Sequence, residues 1–480
     1  MDEHSGLTGT ILLHQVFERQ AQRTPGATAV EDLERSGLVT YEELDRRANR
    51  LAAILQERGV TPGCVVGILL PRCIEQYVSM LAILKAGAAY LPIDPAFPTE
   101  RVSFVLKDAG VDLVLISEEL WRPGIARSST PVFIESLSLD AWTDYQDRPF
   151  DSGVPLTEED LAYMIYTSGT TGDPKGICIS HRNVMAFVKG IRRVYRVRKD
   201  DRVLQGFSAA FDASVEEIWA AFSAGATLVV GSAECMHNVD ELPARLREYA
   251  ITVFSTVPTV LEVMPNADLP NLRLVISGGE AAHSDIVEKW SSPGRRILNT
   301  YGPTECSVVA TCAECVPGEP VTIGIPLPGY EALVLDSHLQ DVPDGTKGEL
   351  CVAGRGVSSR GYLNRPELTE QKFVVRGKRR MCRTGDLVYR DPDGNLVYCG
   401  RIDSQVKIRG FRVELEEIES NLCRLHGVEA AVVSMQKDDQ GTPLLVAYII
   451  QGELGDFDVR RGISWLHSGM SFSLNRPIIT

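Results

Sequence analysis

The sequence predicts an α/β fold, in which a large N-terminal part forms layered sheets and helices and a smaller α+β part follows. Apolar residues take helical spacing after Thr40, which forms a capping-box pattern with Glu43, and the pattern stops at Gly59. Short apolar runs with the length of buried strands recur between such segments. These runs are residues 64–70, 111–116, 226–230, 251–254 and 272–276. This alternation of patterns is typical of helices packed on sheets.

The sequence changes character near residue 400. Residues 405–415 alternate apolar and polar side chains around Gly410, which predicts a short hairpin. One face of the next helix is apolar, at Leu415, Ile418, Leu422 and Leu425. Two strands are predicted at residues 431–433 and 444–450, and the sequence after about residue 450 matches no element that we expect. We therefore predict two domains, residues 1–400 and residues 401–480, of which the second is truncated or aberrant at its end.

The most informative segment is the loop 166–176, with the sequence YTSGTTGDPKG, which follows a strand-like run at residues 161–165. Its glycines allow the backbone N–H groups to approach an anion, and its hydroxyls add further donors. Lys175 adds a positive charge suited to phosphate. A Walker loop needs glycine directly before the lysine, and Pro174 stands there instead. The segment therefore predicts a phosphate-binding loop of another kind.

Composition and charge exclude several classes of protein. The formal net charge of −15 argues against a nucleic-acid partner, because such binding depends on Lys and Arg. The N-terminus lacks the basic start of a signal peptide, and no uncharged apolar run is long enough to cross a membrane. The eleven cysteines contain a single C-x-x-C pair without a second pair or nearby histidines, which indicates ordinary reduced thiols and no structural zinc site. We expect a soluble cytoplasmic protein.

Further segments accompany the loop in a fixed order. They are residues 40–45 with 48–52, 84–94, 299–305, 348–350 with 361–363, 383–386, and 400–403 with 407–410. Together they resemble the core motifs of the adenylate-forming, or AMP-binding, enzymes. Residues 211–214, Phe-Asp-Ala-Ser, make the chain most similar to amino-acid adenylation domains of nonribosomal peptide synthetases. The resemblance implies a small C-terminal lid, hinged at Asp403, on a large core that binds ATP and an amino acid.

The resemblance also implies ATP and Mg²⁺ as cofactors. It assigns ATP binding to Thr167, Ser168, Gly169, Thr170, Thr171, Gly172, Lys175, Gly279, Glu280, Asn299, Tyr301, Gly302, Thr304, Asp386 and Arg401. It assigns catalysis to Lys175, Thr304, Glu305 and Arg401. Glu305 is the expected Mg²⁺ ligand, because this hard cation favours carboxylate and phosphate oxygens. Tyr301 is expected to stack on adenine and Asp386 to bind the ribose hydroxyls. We expect both Lys175 and Glu305 at the rim of a cleft.

The same resemblance implies an amino-acid pocket. Its lining is carried over to Asp212, Ala213, Glu216, Ser255, Ile276, Gly278, Thr300, Val308 and Val309. Asp212 is expected to pair the α-ammonium group of the substrate. If the segment after it is helical, Glu216 lies one turn further on, so both carboxylates can face one cavity. A substrate with a second cation would pair Glu216, and the pocket resembles those that activate lysine. The predicted substrate is L-lysine, with L-ornithine as the alternative.

One expected residue is missing. Enzymes of this family use a lysine near the end of the lid, and no lysine follows Lys437 in this chain. Lys437 itself stands too early, and Asn475 with Arg476 only faintly resembles the residues before that lysine. There is no carrier-domain serine motif either, so the resemblance implies that a phosphopantetheine thiol is supplied by a separate chain or a missing part. Gly410 is expected to lie beside that arm.

Two alternatives remain open on the sequence alone. An acyl- or aryl-CoA ligase shares the motifs but usually lacks an acid at the place of Asp212. The second alternative is a non-catalytic domain that binds ATP or an amino acid without turnover. The unusual sequence of the last 25 or so residues is the reason to retain this alternative.

Overall fold

The computed structural model describes residues 11–126, 128–137, 153–169, 173–231, 236, 238–403, 405–408, 411–437, 443–451 and 478–479. Its helices are α1 Leu13–Arg23, α2 Tyr41–Glu57, α3 Ile74–Lys85, α4 Thr99–Asp108, α5 His181–Tyr195, α6 Ala213–Ala224, α7 Leu242–Glu248, α8 Pro258–Val263, α9 Ser284–Trp290, α10 Pro366–Lys372 and α11 Leu415–Cys423. Short 3-10 helices lie at Glu118–Leu120, Ile134–Ser136 and Thr304–Cys306.

The strands fall into three groups along the chain. The first are β1 Thr28–Asp32, β2 Gly37–Thr40, β3 Val65–Leu69, β4 Ala89–Pro92, β5 Leu113–Ile116, β6 Thr130–Phe133, β7 Leu161–Thr167 and β8 Lys175–Ser180. Next come β9 Arg202–Gln205, β10 Thr227–Val230, β11 Val253–Thr256, β12 Leu274–Gly278, β13 Arg296–Tyr301, β14 Thr311–Glu314 and β15 Ile325–Pro326. The last are β16 Tyr330–Leu335, β17 Gly348–Gly354, β18 Gly361–Tyr362, β19 Phe373–Arg376, β20 Arg379–Arg390, β21 Leu396–Arg401, β22 Val406–Ile408, β23 Phe411–Val413, β24 Val428–Lys437, β25 Pro443–Gln451 and β26 Ile478–Ile479.

Two large sheets carry the N-terminal part. One has the order β15-β14-β13-β12-β11-β9-β10-β1-β2, and the other has the order β18-β8-β7-β4-β3-β5-β6. Pairing is parallel in the interior of both sheets, and antiparallel pairs lie toward their edges. Parallel strands are normally covered on both faces, which accounts for their continuous apolar runs. The prediction of an α/β fold is confirmed.

A third sheet and the C-terminal elements are antiparallel in character. Strands β16, β17, β20 and β19 pair in that order, and β21 joins the edge of β20. The hairpin β22–β23, the helix α11 and the pair β24–β25 follow, and β26 pairs β25 in parallel. The predicted hairpin, helix and two strands are therefore confirmed.

Some expectations for the C-terminal part are not tested by this structure. Residues 452–477, where the sequence becomes unusual, lie outside the described residues, and so does Gly410. The domain boundary at residue 400 and the hinge at Asp403 remain predictions.

An aromatic cluster fixes the position of α6 in the core. Phe222 of α6 meets the ring of Phe17 edge-on at 4.9 Å, and Phe17 stacks on Tyr41 at 5.2 Å. These side chains are fully buried, and such ring contacts add to the burial of apolar area. The helix that begins at the predicted pocket acids is thereby held against α1 and α2.

The start of α2 differs in detail from the prediction. Thr40 caps the helix by accepting a hydrogen bond from the Glu43 N–H at 3.2 Å. The Glu43 carboxylate does not return the bond, because it pairs with Arg47 one turn later. The predicted cap is therefore present, but the reciprocal capping box is not.

No helix in the described part of the chain is both long and apolar enough to cross a membrane.

Candidate functional site

The phosphate loop connects two paired strands. β7 ends at Thr167 and β8 begins at Lys175, and these two residues face each other in the antiparallel pair. The Thr167 hydroxyl is buried, and it has no hydrogen-bond partner among the described residues. Gly169 lies so close to the Asp173 carbonyl that an added Cβ would approach it to 2.2 Å. Three predicted loop residues, Thr170, Thr171 and Gly172, lie outside the described residues.

Lys175 is buried, although we expected it at the rim of a cleft. Its ammonium group lies 3.3 Å from Glu414 Oε1 and 5.5 Å from the centre of the Tyr362 ring. Glu414 follows the hairpin β22–β23, so an acid of the C-terminal part covers the lysine of the phosphate loop. The sequence of the loop does not predict this burial, because Lys175 is covered through the packing of a distant segment of the chain.

Glu305 is also buried, with 2% of its surface exposed, although we expected it at the same rim. It lies on the 3-10 helix Thr304–Cys306, and its carboxylate accepts a hydrogen bond from the Tyr362 hydroxyl at 2.5 Å. Among the described residues, no group of three or more His, Cys, Asp or Glu side chains could hold a metal ion. Mg²⁺ usually binds through one or two carboxylates together with substrate phosphates, so the single carboxylate of Glu305 fits that ion.

The chain after Glu305 is strained. Ser307 has φ 58° and Val308 has φ 75°, a region that β-branched residues rarely adopt. The Ser307 hydroxyl holds the turn by donating to the Gly356 carbonyl at 2.8 Å. An added Cβ on Gly302 would meet the Val308 carbonyl at 2.3 Å, so only glycine permits this close approach. Strain of this type concentrates at binding sites, and here it falls on Val308, a predicted pocket residue next to Val309.

The predicted nucleotide residues Tyr301, Asp386 and Arg401 are in contact. Asp386 accepts a hydrogen bond from the Tyr301 hydroxyl at one oxygen and from the Arg401 guanidinium, at 2.9 Å, at the other. Arg401 also binds the Asp403 carboxylate through two nitrogens, at 2.5 and 2.6 Å. Lys407 Nζ lies 5.6 Å from the centre of the Tyr301 ring. A carboxylate accepts about four hydrogen bonds, so Asp386 keeps capacity for ribose hydroxyls.

Other predicted ATP residues lie at the ends of neighbouring strands. β12 ends at Gly278, directly before Gly279 and Glu280, and β13 contains Asn299. The Asn299 amide donates to the Thr322 carbonyl at 2.7 Å, and its buried side-chain oxygen has no partner among the described residues. Glu280 accepts from the Thr259 backbone N–H at 3.2 Å. The Asn299 oxygen suits an amino group such as that of adenine.

The walls of the predicted pocket come from three adjacent strands. In the parallel register Ser255 pairs with Ile276, and Gly278 pairs with Thr300. A Cβ on Gly278 would approach the Thr300 hydroxyl to 2.4 Å, so glycine keeps this wall open. The structure thus brings these residues side by side, and Ser255 reaches α6 through its contact with Glu216.

Asp212 and Glu216 are buried together at the start of α6, where Asp212 is the N-cap residue and is followed by Ala213. Burial raises the pKa of Asp212 to about 6; the Thr304 hydroxyl opposes this shift, and Glu305 adds to it. Burial raises the pKa of Glu216 to about 8, against a hydrogen bond from the Ser255 hydroxyl at 3.1 Å. No Lys or Arg of the described chain forms an ion pair with Glu216.

Glu217 shows what a satisfied buried acid looks like. Its carboxylate accepts hydrogen bonds from the backbone N–H groups of Gly206 at 2.9 Å and Phe207 at 3.2 Å. The Gln205 amide donates a third, at 3.2 Å. Burial raises the pKa of both adjacent acids to about 8, but of the two only Glu217 is provided with several N–H donors.

Sequence reasoning missed the contacts made by the C-terminal part. Glu417 of α11 lies 3.9 Å from Arg101 of α4, and burial raises the pKa of Glu417 to about 7, against the attraction of Arg101. Lys407 and Tyr362 belong to the motifs at residues 407–410 and 361–363, so the sequence indicated that these two segments are important. Glu414, Glu417 and Arg101 gave none, because each resembles an ordinary surface charge.

Comparison with known proteins agrees with this geometry. The model of the AMP-binding enzyme family matches residues 17–363. The chain is 40% identical to bacitracin synthase 3 of Bacillus licheniformis over 92% of its length, and it spans 7% of that protein. It is 39% identical to delta-poly-L-ornithine synthetase of Acinetobacter baumannii over 91% of its length, spanning 32% of that protein.

Among solved structures, the chain resembles NpsA-ThdA, an artificially fused adenylation–PCP di-domain of a nonribosomal peptide synthetase from Klebsiella oxytoca. The TM-score is 0.85 at 25% identity, with 99% of this chain and 94% of that chain covered. The chain therefore belongs to the AMP-binding enzyme family, and it is of the adenylation type found in nonribosomal peptide synthetases.

Proposed function

We propose that this chain activates L-lysine as the aminoacyl adenylate, with release of pyrophosphate, for transfer to the phosphopantetheine thiol of a carrier domain. The observation that carries the choice of amino acid is the buried Glu216 carboxyl, which has no cationic partner among the described residues. An unpaired buried carboxylate is costly, whereas the same group opposite a cation is stabilised. A substrate side chain that ends in an ammonium supplies this cation.

Two acids in the same pocket suit the two cations of lysine. Asp212 stands at the N-cap position of α6 and Glu216 follows within its first turn, so the two acids lie one turn apart at the start of the helix. In this proposal Asp212 binds the α-ammonium and Glu216 binds the side-chain ammonium. A charge-assisted hydrogen bond contributes about 1.5–3 kcal/mol, which corresponds to about ten- to a hundredfold in selectivity.

L-ornithine is the alternative substrate. It carries the same two ammonium groups on a chain shorter by one methylene, and a buried methylene contributes about 0.8 kcal/mol. The relative from Acinetobacter baumannii is named for an ornithine polymer, which keeps this alternative in view. An acyl- or aryl-CoA ligase is less well supported, because it has no use for two buried acids in the pocket.

The residues around the phosphate loop suit ATP as the second substrate. The buried Thr167 hydroxyl and the Lys175 ammonium are donors for the β- and γ-phosphates, and Thr304 is assigned to the α-phosphate. Glu305 would hold Mg²⁺, which neutralises phosphate charge when it is bound. Asp386 would accept hydrogen bonds from the ribose, and the open capacity of its carboxylate supports this role.

The carrier domain is part of the proposal. The similar solved structure is described as an adenylation–PCP fusion, and the chain spans only a small part of the large synthetases that it matches. We propose that the carrier thiol comes from another chain or from a further part of a longer protein. A cytoplasmic location also remains a prediction.

A pyrophosphate-release panel tests the proposal. The 480-residue chain is assayed with L-lysine, L-ornithine, L-norleucine, L-leucine and a fatty acid. Norleucine is the decisive control, because it has the carbon chain of lysine without the terminal ammonium. We expect lysine to be preferred over norleucine by at least about tenfold. Preference for leucine or norleucine would refute the substrate, and release only with the fatty acid would favour a CoA ligase.

The Glu216→Gln variant connects the preference to the carboxyl group. It should abolish the preference for lysine over norleucine and leave ATP affinity unchanged, because it keeps the shape of the side chain. The exposed acid Glu262 provides a matched control as Glu262→Gln, which should behave as the unmodified protein. A retained lysine preference in Glu216→Gln would contradict the assigned role.

A further inference from the structure

Tyr195 ends α5 beside the pocket, and the sequence analysis did not include it in the lining. Its ring is fully buried, and α5 packs against α6, which carries Glu216. The backbone of Tyr195 is fixed by Arg296, which donates to its carbonyl at 3.1 Å. The side chain is therefore held in place by packing and by a backbone contact that does not use the hydroxyl.

The buried Tyr195 hydroxyl has the Glu216 carboxyl as a neighbouring acceptor, and no group among the described residues donates a hydrogen bond to its oxygen. The Glu216 carboxyl is its main charged neighbour, and burial followed by this carboxyl raises the pKa of Tyr195 well above its ordinary value. A buried hydroxyl oxygen that accepts no hydrogen bond has lost the bonds that water would donate to it. This oxygen can therefore accept a hydrogen bond from a polar group beside Glu216.

An ammonium group suits the chemistry of these side chains. It has three donors and needs several acceptors when it is removed from water. The Glu216 carboxyl supplies acceptors at one side, with the Ser255 hydroxyl bound to its Oε1 at 3.1 Å. The Cys312 thiol also faces Glu216, and Cys312 pairs with Thr300 of the pocket wall. The Tyr195 oxygen also keeps an acceptor position, on the side of α5.

We infer that Tyr195 is a further specificity-determining residue, whose hydroxyl oxygen accepts a hydrogen bond from the substrate's side-chain ammonium next to Glu216. This inference rests on the proposed function, because it requires a cationic side chain at that end of the pocket. It adds a contact from α5 to a site otherwise built from α6 and the strands β11 to β13.

Direct binding to the full chain tests the inference. The dissociation constants of L-lysine and L-norleucine are measured by calorimetry for the unmodified protein and for Tyr195→Phe. We expect the variant to bind lysine about tenfold more weakly and to bind norleucine unchanged. The matched control is Tyr90→Phe, because Tyr90 also has a buried hydroxyl, but the polar neighbour of that hydroxyl is Trp219 and not Glu216. This control should bind both amino acids as the unmodified protein does.

A double-mutant cycle with Glu216→Gln separates the possible outcomes. If the two groups share one ammonium, Tyr195→Phe should have little further effect on lysine in the Glu216→Gln background. Unchanged lysine binding in Tyr195→Phe, or equal weakening of both amino acids, overturns the inference but leaves the proposed substrate standing. Absence of any lysine preference in the unmodified protein overturns both.

Discussion

The buried acids at the pocket and those at the contact with the C-terminal part differ in their partners. Glu414 lies 3.3 Å from Lys175, and Glu417 lies 3.9 Å from Arg101, so each faces a cation of the protein. Glu216 is equally buried, and its neighbours are the neutral hydroxyls of Ser255, at 3.1 Å, and Tyr195. Acids of the first kind hold two parts of the chain together. An acid of the second kind is instead suited to a ligand that supplies the missing charge.

The largest effect is expected at the other pocket acid. Asp212→Asn keeps the shape of the side chain and removes the charge that we assign to the α-ammonium. Breaking a buried pair of this type costs about 3 kcal/mol, so activation of every amino acid should fall about a hundredfold or more. Pyrophosphate release over an amino-acid panel measures this loss, and ATP binding serves as the control for intact folding. A loss confined to lysine would mean that Asp212 contacts the side chain instead.

A smaller effect is expected at the contact with the C-terminal part. Glu414→Gln removes the charge that neutralises Lys175, which leaves the ammonium available for phosphate. Affinity for inorganic pyrophosphate should therefore rise about tenfold, measured by calorimetry. Glu429→Gln, at an exposed acid of the same part, is the control and should change nothing. Equal affinities for Glu414→Gln and the unmodified protein would show that the contact does not compete with phosphate.

The smallest effect is a pH dependence of stability. The pKa of Glu216 is raised from 4.5 to about 8 by burial, so between these values the folded carboxyl is protonated while the unfolded one is ionised. The unmodified protein should therefore lose stability as pH rises through this window, and Glu216→Gln should lose less, because Asp212 and Glu217, whose pKa values are also raised by burial, remain in the variant. The variant's melting temperature should exceed that of the unmodified protein by a few degrees at pH 8 and by little at pH 5.

Glu217→Gln makes this comparison sharper. In the unmodified protein the Glu217 carboxylate accepts hydrogen bonds from the N–H groups of Gly206 and Phe207, one at each oxygen. The amide of glutamine has a single acceptor oxygen and cannot replace both. This variant should melt at a lower temperature than the unmodified protein, and the difference should be largest near pH 5, because burial also raises the pKa of Glu217 to about 8. If the melting temperatures of Glu216→Gln and Glu217→Gln changed in the same direction, the proposed difference between an acid bound by the protein's own N–H groups and an acid suited to a ligand would be wrong.

Much of the fold and of the site could be predicted from the sequence, because the relevant signals are local. The strand before the phosphate loop was expected at residues 161–165 and extends to Thr167, and the pattern after Thr40 gives α2. The register that brings Ser255 beside Ile276 and Gly278 beside Thr300 agrees with a shared pocket. The chemical roles of these residues remain predictions.

By itself the sequence determined the type of loop, the alternation of helices and strands, and the acids available to a pocket. Only the tertiary structure decided which charges are paired. Lys175 and Glu414 are 239 positions apart, and Tyr195 meets Glu216 through the packing of α5 on α6. Burial makes such pairings decisive, since a charge removed from water must find a partner. That partner is chosen by how distant segments pack, and no local pattern records it.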